Sequence, residues 1–248
     1  MNEQGAGRLG PLSAIALHLL PGALATAIFV LIADPVQDAG FPPLLAFLAA
    51  VLLVIVPFEL GVVLWAGRHA GTGGALASVP YRQPMAAREW AVLVPAVTVA
   101  AVIGFGALSL LDAPIRDALF VWLPDWFREL VPVDAIGSYS TSAWTVTLAA
   151  YAAINILIGP VVEEIYFRGY LLPRLSQLGR WAPLVNTVLF SLYHFWTPWA
   201  FLARIAGVAP FAYAVWWKRN VYLGMVVHVL LNAIGSITLI ALVLQELS

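Results

Sequence analysis

The sequence contains no cysteine, so disulfide frameworks, thiolate metal sites and a cysteine nucleophile are excluded at the outset. Charge is nearly as scarce: Asp, Glu, Lys and Arg together make up 10% of the 248 residues. Lys and Arg total 12, of which only Lys218 is lysine, and the net charge is -1. No basic stripe exists for a phosphate backbone to follow, which argues against nucleic acid as a partner. What fills the chain is apolar, with 62% of residues hydrophobic. A soluble fold needs polar residues to cover its surface, whereas a helical bundle in lipid can turn Leu, Val, Ala and Phe outward. The composition therefore describes an integral membrane protein, with the lipid bilayer as its first partner. The preference for arginine and the abundant alanine point to a GC-rich bacterial genome, hence to a bacterial inner (cell) membrane.

Crossing a hydrocarbon core of about 30 Å takes roughly 20 helical residues. Apolar runs of that kind lie near 12–33, 44–66, 90–111, 143–164, 182–199, 200–217 and 220–244. The expected fold class is thus all-α, a polytopic transmembrane bundle of about seven spans. The first run has no convincing small-residue cleavage site after it and reads as a retained span. Lys and Arg are retained on the cytoplasmic side. With the N-terminus cytoplasmic, Arg8, Arg68, Arg82, Arg88, Arg168, Arg174, Arg180, Lys218 and Arg219 fall inside, and only Arg116, Arg128 and Arg204 fall outside. The external segment 112–142, with Trp122, Trp126 and scattered acids, reads as an amphipathic piece lying at the interface or capping the bundle. No repeat or linker divides the chain, so 1–248 is taken as one membrane domain, with 1–141 holding three spans and the external segment.

Ionisable side chains inside a span cost several kcal/mol by insertion scales, so each needs a partner or a function. In GPVVEEIYFRGY, residues 159–170, Glu164 and Arg168 stand four apart and can form an intrahelical ion pair. Glu163 is rotated by about 100° from Glu164 and is left without that partner. It is either a catalytic carboxylate or one member of a charge cluster. Phe190 and His194 stand four apart in LFSLYHFW, and His194 lies roughly 18 Å into its span. His228 and Asn232 share a face in LGMVVHVLLNAIG. Each could be mere packing glue between helices. Together, a carboxylate, two imidazoles and a carboxamide on the fourth, fifth and seventh spans make hydrolytic equipment. A glutamate and a histidine can activate water, and a second histidine with an asparagine can stabilise an oxyanion. Such a site is expected to open toward the cytoplasm. Glu59, His18 and Arg204 find no role in this reading.

These residues resemble the CAAX protease and bacteriocin-processing (CPBP, or Abi) intramembrane proteases, the family of the Ras-converting CAAX endoprotease. Three motifs match in order: EExxxR at Glu163–Arg168, FxxxH at Phe190–His194 and HxxxN at His228–Asn232. The resemblance covers 142–240 and implies a protease core in the last four helices. It implies that Glu163 and His194 activate the water, that His228 and Asn232 form the oxyanion hole, and that Glu164 and Arg168 brace the site. The substrate class it implies is a membrane-anchored protein or peptide. The family has been described both as metalloproteases and as glutamate-dependent peptidases. The favoured mechanism requires no cofactor, while Glu163, His194 and His228 are the residues that would ligate a zinc ion. Some members are immunity or scaffold proteins without catalysis, and a proton-coupled transporter would also use buried carboxylates and histidines.

Overall fold

The structure is a computed structural model, and it describes residues 7–69, 76–131 and 133–246. Among these, the only extended pairing is an isolated antiparallel bridge between Arg82 and Asn220; the rest is helix and connection. Large apolar side chains such as Leu12, Leu31, Leu53, Trp65, Ile103 and Ile237 are exposed. In a bundle of this composition that outward face belongs against lipid.

Six helical runs are long and apolar enough to cross a membrane: Pro11–Asp38, Pro43–His69, Ala87–Ser109, Thr141–Tyr193, Pro198–Lys218 and Val221–Glu246. The first is α1 and the last α11; α2 (Pro43–Ala50) and α3 (Val56–His69) share the second, and α4 is Ala87–Ser109. The fourth run has 53 residues and does not continue in one direction. It starts with α7 (Thr141–Tyr151) and α8 (Gly159–Glu163), breaks at Gly179 (φ 53°, ψ -128°), and returns as α9 (Ala182–Tyr193). Glycine suits that break because a Cβ strains at positive φ. On the return, Asn186 donates to the Phe167 carbonyl and Tyr193 reaches Glu163. Rising numbers on one arm therefore meet falling numbers on the other. With α10 (Phe201–Lys218) the described residues hold six candidate spanning runs against the seven expected, because the fourth, folded back on itself, contains both the fourth and the fifth expected spans.

Three stretches depart from α geometry into π-helix: Val51–Ile55, Ala152–Ile158 and Glu164–Leu171. Each ends two residues before a proline, Pro57, Pro160 and Pro173. Proline has no N–H for the carbonyl four residues back and its ring crowds that carbonyl, so the preceding turn widens. Such widened turns are frequent at functional sites, and here two of them flank Glu163.

One end of the bundle gathers the start of α1 and the segments 76–83, 172–182 and 218–221. Leu9 bonds the Arg174 carbonyl, Arg174 donates to the Ser78 carbonyl, and Val221 bonds the Tyr81 carbonyl. Ser78, Val79 and Tyr81 are buried, so this segment plugs that end of the bundle. The other end gathers α5 (Asp112–Leu119), α6 (Asp125–Arg128) and the 194–200 connection. There Phe29 packs on Trp126 and Phe127, and Phe120 packs on Trp199. Phe127 of this segment thus caps the bundle while Trp122 stays exposed.

Candidate active site

Glu163 ends α8 and is buried. The Tyr193 hydroxyl donates to its Oε1 at 3.2 Å. Its Oε2 faces His228 Nε2 at 3.8 Å, beyond hydrogen-bond reach. Glu164 turns away, fully buried, with Oε1 3.0 Å from Arg168 Nη1 and 3.1 Å from His228 Nδ1. The pair expected from the four-residue spacing is therefore present, although the guanidinium is not aligned to donate a hydrogen bond to the carboxylate. Arg168 lies instead over the ring of Phe190, 4.0 Å from its centroid, and near Phe211 at 5.1 Å. Cation–π attraction of this kind strengthens where water is excluded. It was counted above with the cytoplasmic arginines, but it is buried in the bundle.

Two glycines make room for this arrangement. A Cβ on Gly224 would lie 2.4 Å from Glu164 Oε2 and 2.9 Å from Val215 Cγ2, so the α11 backbone runs directly over the carboxylate. A Cβ on Gly22 would lie 1.9 Å from the Tyr193 carbonyl oxygen, which brings α1 against the end of α9.

His194 was expected within a continuous span over 182–199. The helix instead stops at Tyr193, and His194 leaves it with φ -82° and ψ 62°. Twelve residues rise about 18 Å, too little to cross, and the pass is completed by irregular backbone. Such backbone is tolerated at membrane depth only where it is enclosed by protein or lines a cavity, and residues 194, 196 and 197 line one. His194 Nδ1 bonds the Phe190 carbonyl at 2.8 Å. A carbonyl only accepts, so Nδ1 carries the proton and Nε2 keeps its lone pair.

The cavity has a volume of about 630 Å³ and its wall includes Glu163, His194, His228 and Asn232. The four residues of the expected site thus share one space. Leu44, Leu130, Val131 and Thr197 belong to the wall, whereas no residue of the plugged end does. The cavity extends toward the end that carries α5 and α6, because segment 76–83 fills the other. Asn232 is not wholly free: its Nδ2 donates to the Asn155 carbonyl at 2.8 Å, tying α11 to the widened turn before Pro160. One N–H of the carboxamide remains for other work.

Two buried groups outside the motifs are now placed. His18 bonds the Ala14 carbonyl through Nδ1 and Asn186 Nδ2 through Nε2, the packing role that intramembrane histidines commonly serve. Glu59 is fully buried with neither oxygen hydrogen-bonded, beside the Tyr193 hydroxyl and within electrostatic reach of Glu163. Sequence reading missed Tyr193, although its place next to His194 in a motif was a usable signal. Among the described residues, no three His, Asp or Glu side chains converge to hold a metal ion, and Glu163, His194 and His228 form no such group.

Carboxylate and imidazole groups thus surround an interior cavity of a helical bundle whose outer face is apolar. Residues 145–234 match the family described as Type II CAAX prenyl endopeptidase Rce1-like. That stretch is about a third of the chain and contains all three motifs, so this part of the chain is similar to that family. No curated protein and no solved structure matches the chain.

Proposed function

We propose that the protein is an intramembrane endopeptidase that hydrolyses peptide bonds of membrane-anchored proteins or peptides. The observation that carries this reading is the pairing, in one cavity, of Glu163 with a histidine whose Nε2 is left as a base. In this mechanism a water molecule held between Glu163 and His194 loses a proton to them and attacks the substrate carbonyl. His228, oriented by Glu164, and Asn232 face the developing oxyanion. Glu163 or His194 then returns the proton to the leaving amine. General acid–base catalysis of this kind contributes about 10²–10⁴-fold, and preorganised donors add a further, often larger, share.

Segment 142–240 supplies every proposed catalytic side chain and the first three passes supply cavity wall, so one membrane domain is the working unit. The N-terminus lies in the cytoplasm on the strength of the arginine distribution. No step requires a metal ion, and cleavage is expected to persist in protein freed of metal by chelation. The deciding experiment compares the purified protein with Glu163→Gln on lipid-anchored peptides. Cleavage is expected to fall by at least about 10²-fold with unchanged thermal unfolding. Equal cleavage by the two proteins sinks the peptidase reading.

A further inference from the structure

Arg204 lies on α10, is the only Lys or Arg in the cavity wall among the described residues, and the catalytic proposal does not use it. Its guanidinium has two visible duties: Nη1 donates to the Ser191 carbonyl at 3.2 Å and Nη2 to Thr197 Oγ1 at 2.7 Å. Both secure the broken end of α9. Both partners are neutral, so neither balances the charge. Asp112 and Glu163 are the acids that Arg204 feels, yet among the described residues no carboxylate comes within the 4.0 Å of an ion pair with it. A cation inside an apolar enclosure is costly unless an anion meets it. A guanidinium has five N–H donors in a planar fork that matches a carboxylate, and the two bonds present leave three of them unused.

Position matters as much as charge. Arg204 stands within electrostatic reach of both His194 and Glu163, while apolar residues such as Phe47, Val208 and Leu231 make up the wall around it. Glu163 and Arg204 line the same cavity, so a peptide lying in it with its scissile carbonyl at Glu163 can meet Arg204 elsewhere along its length. We propose that Arg204 anchors a carboxylate of the bound peptide and so sets where cleavage falls. That carboxylate is either the peptide's α-carboxylate or an acidic side chain. The inference rests on the peptidase reading for its ligand, a peptide, and not for its test.

Binding is measured with the full-length Glu163→Gln protein in detergent micelles, so that no turnover is needed. Three fluorescent, acyl-anchored apolar decapeptides serve as probes: one with a free C-terminus, its C-terminal amide, and the amide carrying one internal glutamate. The free acid is expected to bind roughly 10-fold or more tightly than the plain amide, the scale of a hydrogen bond to a charged group. If the glutamate-bearing amide recovers that affinity, the carboxylate is a side chain; if only the free acid binds tightly, it is the chain end. In Arg204→Gln the advantage should vanish, and in Arg204→Lys, which keeps the charge but not the fork, it should shrink. Should the glutamine variant fail to fold, the three-peptide comparison on the protein that retains Arg204 still decides. Equal affinity for all three peptides, or no binding of any, overturns the inference. Retained discrimination in a protein that never cleaves would instead remove the peptidase reading and leave the carboxylate site standing.

Discussion

The hydroxyl of Tyr193 donates to Glu163 Oε1 across 3.2 Å, joining the last helical residue before His194 to the carboxylate on the facing arm. One side chain therefore sets the distance between two motifs that are thirty residues apart. Tyr193→Phe removes that bond and keeps the ring, which packs on Phe167 and Trp196. A hydrogen bond to a charged group contributes about 1.5–3 kcal/mol. Peptide cleavage should fall about 10-fold or more while thermal unfolding moves little, as read from kcat/KM and Tm side by side. If kcat/KM is unchanged, Tyr193 does not position Glu163.

Glu59 presents the opposite case, a fully buried carboxyl whose neighbour, the Tyr193 hydroxyl, donates its hydrogen bond to Glu163 instead, so little offsets its loss of water. Burying a polar group without compensation costs on the order of 1–3 kcal/mol by mutational measures. Glu59→Leu should therefore raise the unfolding temperature. Because Glu59 borders Tyr193 and Glu163, the same change should lower cleavage, the trade expected where a strained polar group serves a site. A variant that is less stable than the parent contradicts this account.

Gly224 tests the packing behind the site. A Cβ there meets Glu164 Oε2 at 2.4 Å and Val215 Cγ2 at 2.9 Å. Neither yields freely, since Glu164 is pinned between Arg168 and His228. Overpacking a filled interior costs about 1–3 kcal/mol, so Gly224→Ala should lower Tm and activity together. Gly61→Ala is the control: nothing lies within 4 Å of that Cβ, and alanine is the better helix former by about 1 kcal/mol. Equal effects of the two substitutions would mean that Glu164 is not held as described.

The parts of this site that sequence revealed are those expressed as spacing. Glu164 and Arg168 one turn apart and His228 in line with Asn232 needed no fold to be noticed, and seven apolar stretches followed from length and hydropathy alone. What stayed hidden depended on contacts across the chain. Tyr193 gains its meaning only because the run after Gly179 folds back onto Glu163. The role of segment 76–83 is one of these contacts: Ser78 bonds the Val63 carbonyl and Val79 packs where a Gly169 Cβ would stand. That plug is why the cavity extends toward the end that carries α5 and α6. The break at His194 was equally invisible, since an apolar run of that length reads as a whole span whether or not its last third is helical. The three prolines that follow the widened turns were a legible signal, since proline disturbs the turn before it.

The absence of cysteine makes the orientation directly measurable, because a single introduced thiol has no background. Arg180→Cys lies at the plugged end, and Ser138→Cys and Glu246→Cys lie at the other; all three parent side chains are exposed. On intact cells a membrane-impermeant maleimide should label positions 138 and 246, and should label position 180 only after permeabilisation. That pattern fixes the N-terminus in the cytoplasm, as the basic residues imply. It also places the cavity mouth on the outer side, so a substrate would enter from the external leaflet. The reverse pattern would overturn the charge argument and turn the cavity, with Glu163 and Arg204 in its wall, toward the cytoplasm. The fold makes the three labels move together: with seven passes, position 246 must follow position 138 and oppose position 180. Labelling of 180 and 246 from the same side would break the seven-pass count, at Gly179 or at the irregular stretch after His194.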